Sequence, residues 1–276
     1  MAEELETDSD VAGHASTDSS PPASAPDGRS TAAATKDVRE RFEAVRGSLH
    51  FSELETLLTR QTEAAAEVLG ADSVGISMLL QDGMRVPLAA SNEDAKTAEA
   101  LQFTLGQGPC LDAFTEGRPI LVADVTDASS RAGTIWPAYT EQLLARTPFT
   151  AVFAIPLASG GMSLGTLSMY RRRSGRLSEK ELGDALAITH QIFFDLVDTG
   201  TFSGDVQPAF LWLNLPLART RAVVWQAIGM LIVQHDLTTA DALAVLRAYC
   251  YARDLLIDDV AAEIVRQTLP LDQLSP

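Results

Sequence analysis

A chain of 276 residues with 46% hydrophobic side chains holds enough apolar material for about two domains. Its net charge of −16 and pI near 4.6 exclude attraction of the whole surface to nucleic acid or to an anionic membrane. Two cysteines in separate segments, Cys110 and Cys250, exclude a disulfide framework and predict a reducing, cytoplasmic setting.

Residues 1–36 are rich in Ser, Thr, Ala, Pro and acid and show no apolar periodicity, so they predict a disordered acidic tail. A helix is predicted over Phe51–Leu69, with Ser52 as N-cap, Glu55 completing a capping box, and Leu54, Leu57, Leu58, Ala65, Val68 and Leu69 as the apolar stripe. Strands at Ser73–Leu80 and Arg85–Ala90 flank Asp82-Gly83, a hairpin signal. A helix over Asp94–Gln102 leads into Gly106-Gln107-Gly108-Pro109-Cys110, read as a turn, then a short helix at Leu111–Glu116 and a strand at Pro119–Ala123.

Trp136–Leu144 is predicted helical. The uncharged stretch Thr147–Tyr170 is long enough to span a bilayer, but Pro148, Pro156, Gly160, Gly161 and Gly165 interrupt it. It reads instead as a buried hairpin, Phe149–Leu157 and Leu164–Tyr170, turning at Gly160-Gly161. A long helix from Ser178 to Val197 follows, with Ser178 and Glu181 spaced as a capping box. Hairpins between helices predict an α+β domain, an antiparallel sheet flanked by helices, over residues 37–198.

Residues 199–215 form a connector with an apolar patch, Phe210-Leu211-Trp212-Leu213. An all-α domain over residues 216–270 ends the chain, with helices predicted at Leu217–His235, Thr239–Arg253 and Asp258–Leu269. Ala227, Gly229, Ala242, Ala248 and Ala261 allow those helices to approach closely.

Gly108-Pro109-Cys110-Leu111-Asp112-Ala113-Phe114 and Gly117-Arg118-Pro119-Ile120-Leu121-Val122-Ala123-Asp124 resemble the GAF domain family. Trp136-Pro137, Ala154-Ile155-Pro156-Leu157 and Leu164-Gly165-Thr166-Leu167-Ser168-Met169-Tyr170 continue the resemblance, which covers Phe51–Val197. It implies a sensory module whose sheet covers a pocket that accepts a small ligand in some members. No cofactor is expected, and the residues do not specify a ligand.

The C-terminal segment resembles the ANTAR family through Arg221-Ala222-Val223-Val224, Gln226-Ala227, Gly229-Met230-Leu231, Ala242, Leu246-Arg247 and Asp259-Val260-Ala261. That resemblance implies a three-helix module that binds paired stem-loops in nascent RNA and prevents a terminator hairpin from forming. A homodimer suits paired stem-loops, and neither DNA nor membrane is expected as a partner. The segment departs from the family at Ile228, Leu256 and Asp258, where basic residues are common. From Pro208 onward five bases face seven acids, which weakens a phosphate-driven affinity.

The RNA-contact candidates are Arg219, Arg221, Arg247 and Arg253, with Tyr249, and also Tyr251 or Trp225, as stacking surfaces. The same arginines read equally as ordinary solvated or salt-bridged residues, and the aromatics as core. Cys110 is the ligand-sensing candidate, against a buried inert thiol. Arg171-Arg172-Arg173 with Arg176 forms a dense basic cluster that either binds an anion, RNA or the acidic N-terminal tail, or keeps a hairpin end solvated. The four histidines show no metal-ligand spacing and no catalytic motif is present, so no metal site and no enzyme are expected. The leading expectation is a cytoplasmic, signal-responsive RNA-binding regulator of transcription antitermination. The alternative is a protein-interaction regulator with an ANTAR fold that has lost RNA binding.

Overall fold

The computed structural model describes residues 28–46, 54–79, 85–198 and 216–274. The Ser52 cap, the Asp82-Gly83 turn and the Phe210–Leu213 patch lie outside the described residues.

Helix α1, Gly28–Arg46, begins inside the segment expected to be a tail, which corrects that expectation for residues 28–36. Val38 and Phe42, one turn apart on the same face, are buried against helices α2 (Leu54–Leu69) and α7 (Glu179–Leu196). Two anchors in a polar sequence are too sparse to read as a periodic stripe.

Five strands form one antiparallel sheet in the order β2-β1-β5-β4-β3: β1 is Ser73–Leu79, β2 Arg85–Ala90, β3 Ile120–Val122, β4 Ala151–Ser159 and β5 Met162–Arg171. The two sides of the sheet differ in chemistry. Val74, Ile76, Met78, Leu167 and Met169 face the core made with α1, α2 and α7. By the two-residue alternation of a strand, Ser73, Gly75, Ser77, Thr166, Ser168 and Tyr170 face the other side, beneath α3 (Glu93–Leu105), α4 (Pro109–Glu116) and α6 (Pro137–Arg146). A short helix α5, Arg131–Ile135, capped by Ser130, was not predicted. The capping box of Ser178 and Glu181 is present at the start of α7.

Helix α3 runs three residues past the predicted Gln102 and stops at Gly106, whose φ of 64° is left-handed. Helices α8 (Pro216–His235), α9 (Thr239–Ala252) and α10 (Ile257–Val265) enclose their own core of Val224, Ala227, Ile228, Leu231, Leu246, Cys250 and Val260. Helix α10 ends short of the predicted Leu269, with Gln267 left-handed at a φ of 60°. The helical domain docks on the sheet domain through α8 against β2 and through α9 and α10 against α3. No helix among the described residues is long and apolar enough to cross a membrane.

Candidate nucleic-acid interface and its cover

The C-terminal turn of α3 is the hub where the two domains meet. Phe103 is buried and belongs to the core of the helical domain although it is carried by the sheet domain. The Arg221 guanidinium lies 3.7 Å from the centre of its ring and that of Arg247 lies 5.5 Å away. Each guanidinium so placed meets the ring's negative π-surface, worth about 0.5–2 kcal/mol in partly dry surroundings.

Arg247 also donates from Nε to the Phe103 carbonyl at 3.2 Å. The Phe103 carbonyl, which already accepts from the Gly106 N–H, thereby gains a second donor, and a cation is set at the negative end of α3. The guanidinium lies over Gly106, where an added Cβ would stand 2.8 Å from Nη1. Gly106 is therefore required twice, for its left-handed φ and for room. The segment read as a simple turn is a docking seat.

Helix α10 starts at Leu256 with no side-chain cap of its own. The N–H of Ile257 instead donates to the Thr104 hydroxyl at 3.2 Å, so the sheet domain caps a helix of the helical domain. Leu256 packs on the core beneath α3, and Asp258 forms an ion pair with Arg221 at 3.0 Å. Further along, Arg146 of α6 donates to the Asp254 carboxylate at 2.5 Å, which lowers that carboxyl's pKa.

These contacts divide the predicted RNA-contact residues. Arg221 is 2% exposed, and burial lowers its pKa to about 10 even with Asp258 beside it. Arg247 is partly buried, and burial lowers its pKa too. Arg219 and Arg253 are exposed, with Arg253 stacked 3.8 Å from the centre of the half-buried Tyr249 ring. Tyr251 is exposed, and Trp225 packs against the helical core. The structure brings Arg221 and Arg247 together on Phe103, and Arg253 together with Tyr249. Of the three acidic or apolar departures, Ile228 is internal core, Leu256 is a contact to the sheet domain, and Asp258 pairs with Arg221 between α10 and α8 of the helical domain.

Below α3 the polar side of the sheet holds a buried network. Arg85 and Glu99 form an ion pair in which Glu99 also accepts hydrogen bonds from Ser77 at 2.6 Å and from the Tyr170 hydroxyl at 2.5 Å. Gln102 donates to the Tyr170 hydroxyl at 3.1 Å and accepts from the backbone N–H of Cys110 at 2.8 Å. Gly75 makes room: a Cβ there would meet the Glu99 carboxylate at 2.8 Å. Burial pushes the Cys110 thiol up to about 12, so at neutral pH it is a protonated, fully enclosed side chain. Nothing in the sequence pairs Arg85 with Glu99, because the contact exists only once α3 lies across the sheet.

Arg171 bonds Glu181, and Arg172 pairs with Asp94 at 3.4 Å, so part of the basic cluster is engaged within the fold. No group of metal-ligating side chains occurs among the described residues.

The model of the GAF domain matches residues 53–193, and that of the ANTAR domain matches residues 218–265. Among solved structures, the chain is similar to a domain of a putative two-component sensor histidine kinase protein from Sinorhizobium meliloti 1021, at 23% identity over 55% of this chain and 96% of that one, with a TM-score of 0.43. It is also similar to the GAF domain of a phosphoenolpyruvate-protein phosphotransferase from Coxiella burnetii, at 18% identity over 63% and 96% of the two chains, with a TM-score of 0.45. No match was found among curated proteins.

Proposed function

The chain belongs to the GAF domain family and carries an ANTAR domain behind its sheet domain, and from that premise we propose a signal-responsive regulator that binds stem-loops in nascent RNA and acts in transcription antitermination. The observation that supports this most is the burial of Arg221 and Arg247 against α3. Phosphate contacts need accessible cations. The docked arrangement withholds two of them, so it is the off state, and undocking adds them to the exposed Arg219 and Arg253. A signal that favours the undocked form then raises RNA affinity by population shift. The protein acts in the cytoplasm and is not a catalyst. It works as a homodimer, which Leu186 and Phe194 on α7 and Val45 on α1 support as exposed apolar side chains on neighbouring helices.

The test titrates full-length protein against RNA carrying two adjacent short stem-loops over a range of salt. Wild type is compared with Arg253→Glu and with Phe103→Ala, the latter releasing the cover. Salt-weakened binding that falls in Arg253→Glu and rises in Phe103→Ala supports the reading. No binding by any folded form at low salt refutes it.

A second reading, a protein-interaction regulator, draws support from a groove of about 550 Å³ along α9, lined by Leu237, Val245, Ala248, Tyr249 and Leu274. It predicts a protein partner that stays bound after nuclease treatment.

A further inference from the structure

A crevice of about 270 Å³ opens where the two domains meet beside the end of α3. Leu105, Gln107 and Ala138 line it from the sheet domain, and Arg247, Ala248 and Tyr251 line it from the helical domain. Among its described lining residues Arg247 is the single charged one, and no carboxylate lines it.

Arg247 is held at one end and open at the other. Its Nε donates to the Phe103 carbonyl, and the guanidinium sits by the Phe103 ring and over Gly106. Its Nη1 and Nη2 have no acceptor among the described residues, and neither atom is sealed from solvent. The neighbouring arginines differ, since Arg221 has Asp258, Arg146 has Asp254 and Arg85 has Glu99. Burial lowers the Arg247 pKa, and no acidic neighbour opposes that effect. A half-buried cation without a counter-charge is costly, and an anion beside it offsets the cost.

The rest of the crevice defines the class of anion. The Gln107 Oε1 is enclosed, so the Nε2 end of its amide is the open one and offers a neutral donor. Leu105, Ala138 and Ala248 are apolar, and the exposed Tyr251 ring stands with them. One cation and one neutral donor suit a single negative charge. Apolar walls with an open ring suit an aromatic body.

We propose that this crevice binds a small aromatic monocarboxylate. The carboxylate takes the Nη1–Nη2 end of Arg247 in the forked geometry a guanidinium favours, and Gln107 donates a further hydrogen bond. The ring of the ligand lies on Tyr251, against Leu105, Ala138 and Ala248. A cavity of about 150 Å³ admits a benzene ring. The crevice, at about 270 Å³, has room for the ring and its acid arm.

Both domains supply the walls, so the ligand binds the docked form and stabilises it. The regulatory consequence rests on the proposed function: the ligand lowers RNA affinity about tenfold at roughly ten times its dissociation constant.

The experiment is calorimetry of the full-length chain at neutral pH with benzoate, phenylacetate and indole-3-acetate. Benzamide keeps the ring without the charge, acetate keeps the charge without the ring, and inorganic phosphate reports a general anion site. Amide hydrogen exchange at the start of α10, where Thr104 holds the Ile257 N–H across the seam, is followed in parallel. At least one aromatic acid should bind about tenfold or more tightly than every control, and exchange at that turn should slow. Ala248→Met, at an exposed helical position, fills the crevice without touching its charge and should abolish binding. Tyr251→Ala should weaken it about five- to tenfold.

The proposal is overturned if none of the three aromatic acids binds, if acetate or phosphate binds as tightly as the best of them, if Ala248→Met binds as wild type does, or if bound ligand speeds exchange at α10. Stem-loop titrations separate the two claims. RNA binding without aromatic-acid binding sinks only the crevice, whereas aromatic-acid binding with no RNA binding by any form sinks only the RNA reading.

Discussion

Replacing Phe103 by Ala should open the protein without unfolding either domain. The ring is carried by α3 of the sheet domain but sits in the core of the helical domain, so it is buried only when the two are docked. Removing it takes away about 1.5–3 kcal/mol of apolar burial from the docked form. It also removes the ring beneath the Arg221 and Arg247 guanidiniums, at about 0.5 kcal/mol or more each. The sum is about 3 kcal/mol, roughly two powers of ten in the docking equilibrium. The undocked form loses none of this, since the ring is already in solvent there.

Amide hydrogen exchange is the direct assay. Protection should fall at the N-terminal turn of α10, which depends on Thr104 for its cap, and along the faces of α8 and α9 that carry Arg221 and Arg247. The strands of the sheet should keep their protection. Stem-loop affinity should rise in the same variant. Unchanged protection in α8–α10, or a uniform loss across the sheet as well, would refute the view that Phe103 is a removable peg between two independently formed cores.

Other consequences follow from the buried network and the caps. Glu99→Ala leaves Arg85 enclosed without its carboxylate and should cost about 3–5 kcal/mol in urea unfolding; a loss below about 1 kcal/mol would contradict the burial of that pair. Cys110 and Cys250 are both buried with thiols raised to about 12, so neither should react with a thiol reagent at pH 8 until urea unfolds the domain that holds it. Glu181 is held near a pKa of about 2 by the Ser178 backbone N–H and hydroxyl and by Arg171. Its folded value lies below the unfolded one, so its contribution is present above about pH 4.5 and is lost as pH falls toward 2. Acid unfolding of Glu181→Gln should lack that part of the slope.

Much of each domain was readable because its determinants are local. Gly160-Gly161 between two apolar runs marks a hairpin, and Ser178 with Glu181 marks a helix start, whatever lies elsewhere in the chain. Helix α1 is not legible in the sequence because, among its described side chains, only Val38 and Phe42 are buried apolar anchors, in a segment whose composition favours solvent. The docking of the domains was not legible at all. It depends on Phe103, Thr104 and Gly106 meeting Arg221, Arg247 and Ile257, residues separated by more than a hundred positions, with no spacing rule to join them. For the same reason Gly106 reads in the sequence as an ordinary turn residue, and Arg221 as an RNA-contact candidate or an ordinary solvated or salt-bridged residue.

The acidic and apolar departures at Leu256 and Asp258 take on a specific meaning once the cover is known. A cationic helical surface that stays docked on its own sensor needs a counter-charge for each arginine that loses water, and Asp258 supplies one for Arg221. Under the proposed function it occupies the electrostatic role that a phosphate would take in the complex. A cover satisfied in every hydrogen bond would be too firm for a signal to lift, because a ligand can shift an equilibrium only by its differential affinity for the two states. The pair is instead close but poorly aligned, with Nε, Nη1 and Oδ1 all lacking hydrogen bonds. Burial also raises the Asp258 carboxyl and lowers the Arg221 guanidinium, so each partner resists the charge it carries there. That pair ties α8 to α10 within the helical domain, while Phe103 and Thr104 hold the two domains in register. Asp258 is therefore accounted for within one chain, as the counter-charge of an arginine that docking buries.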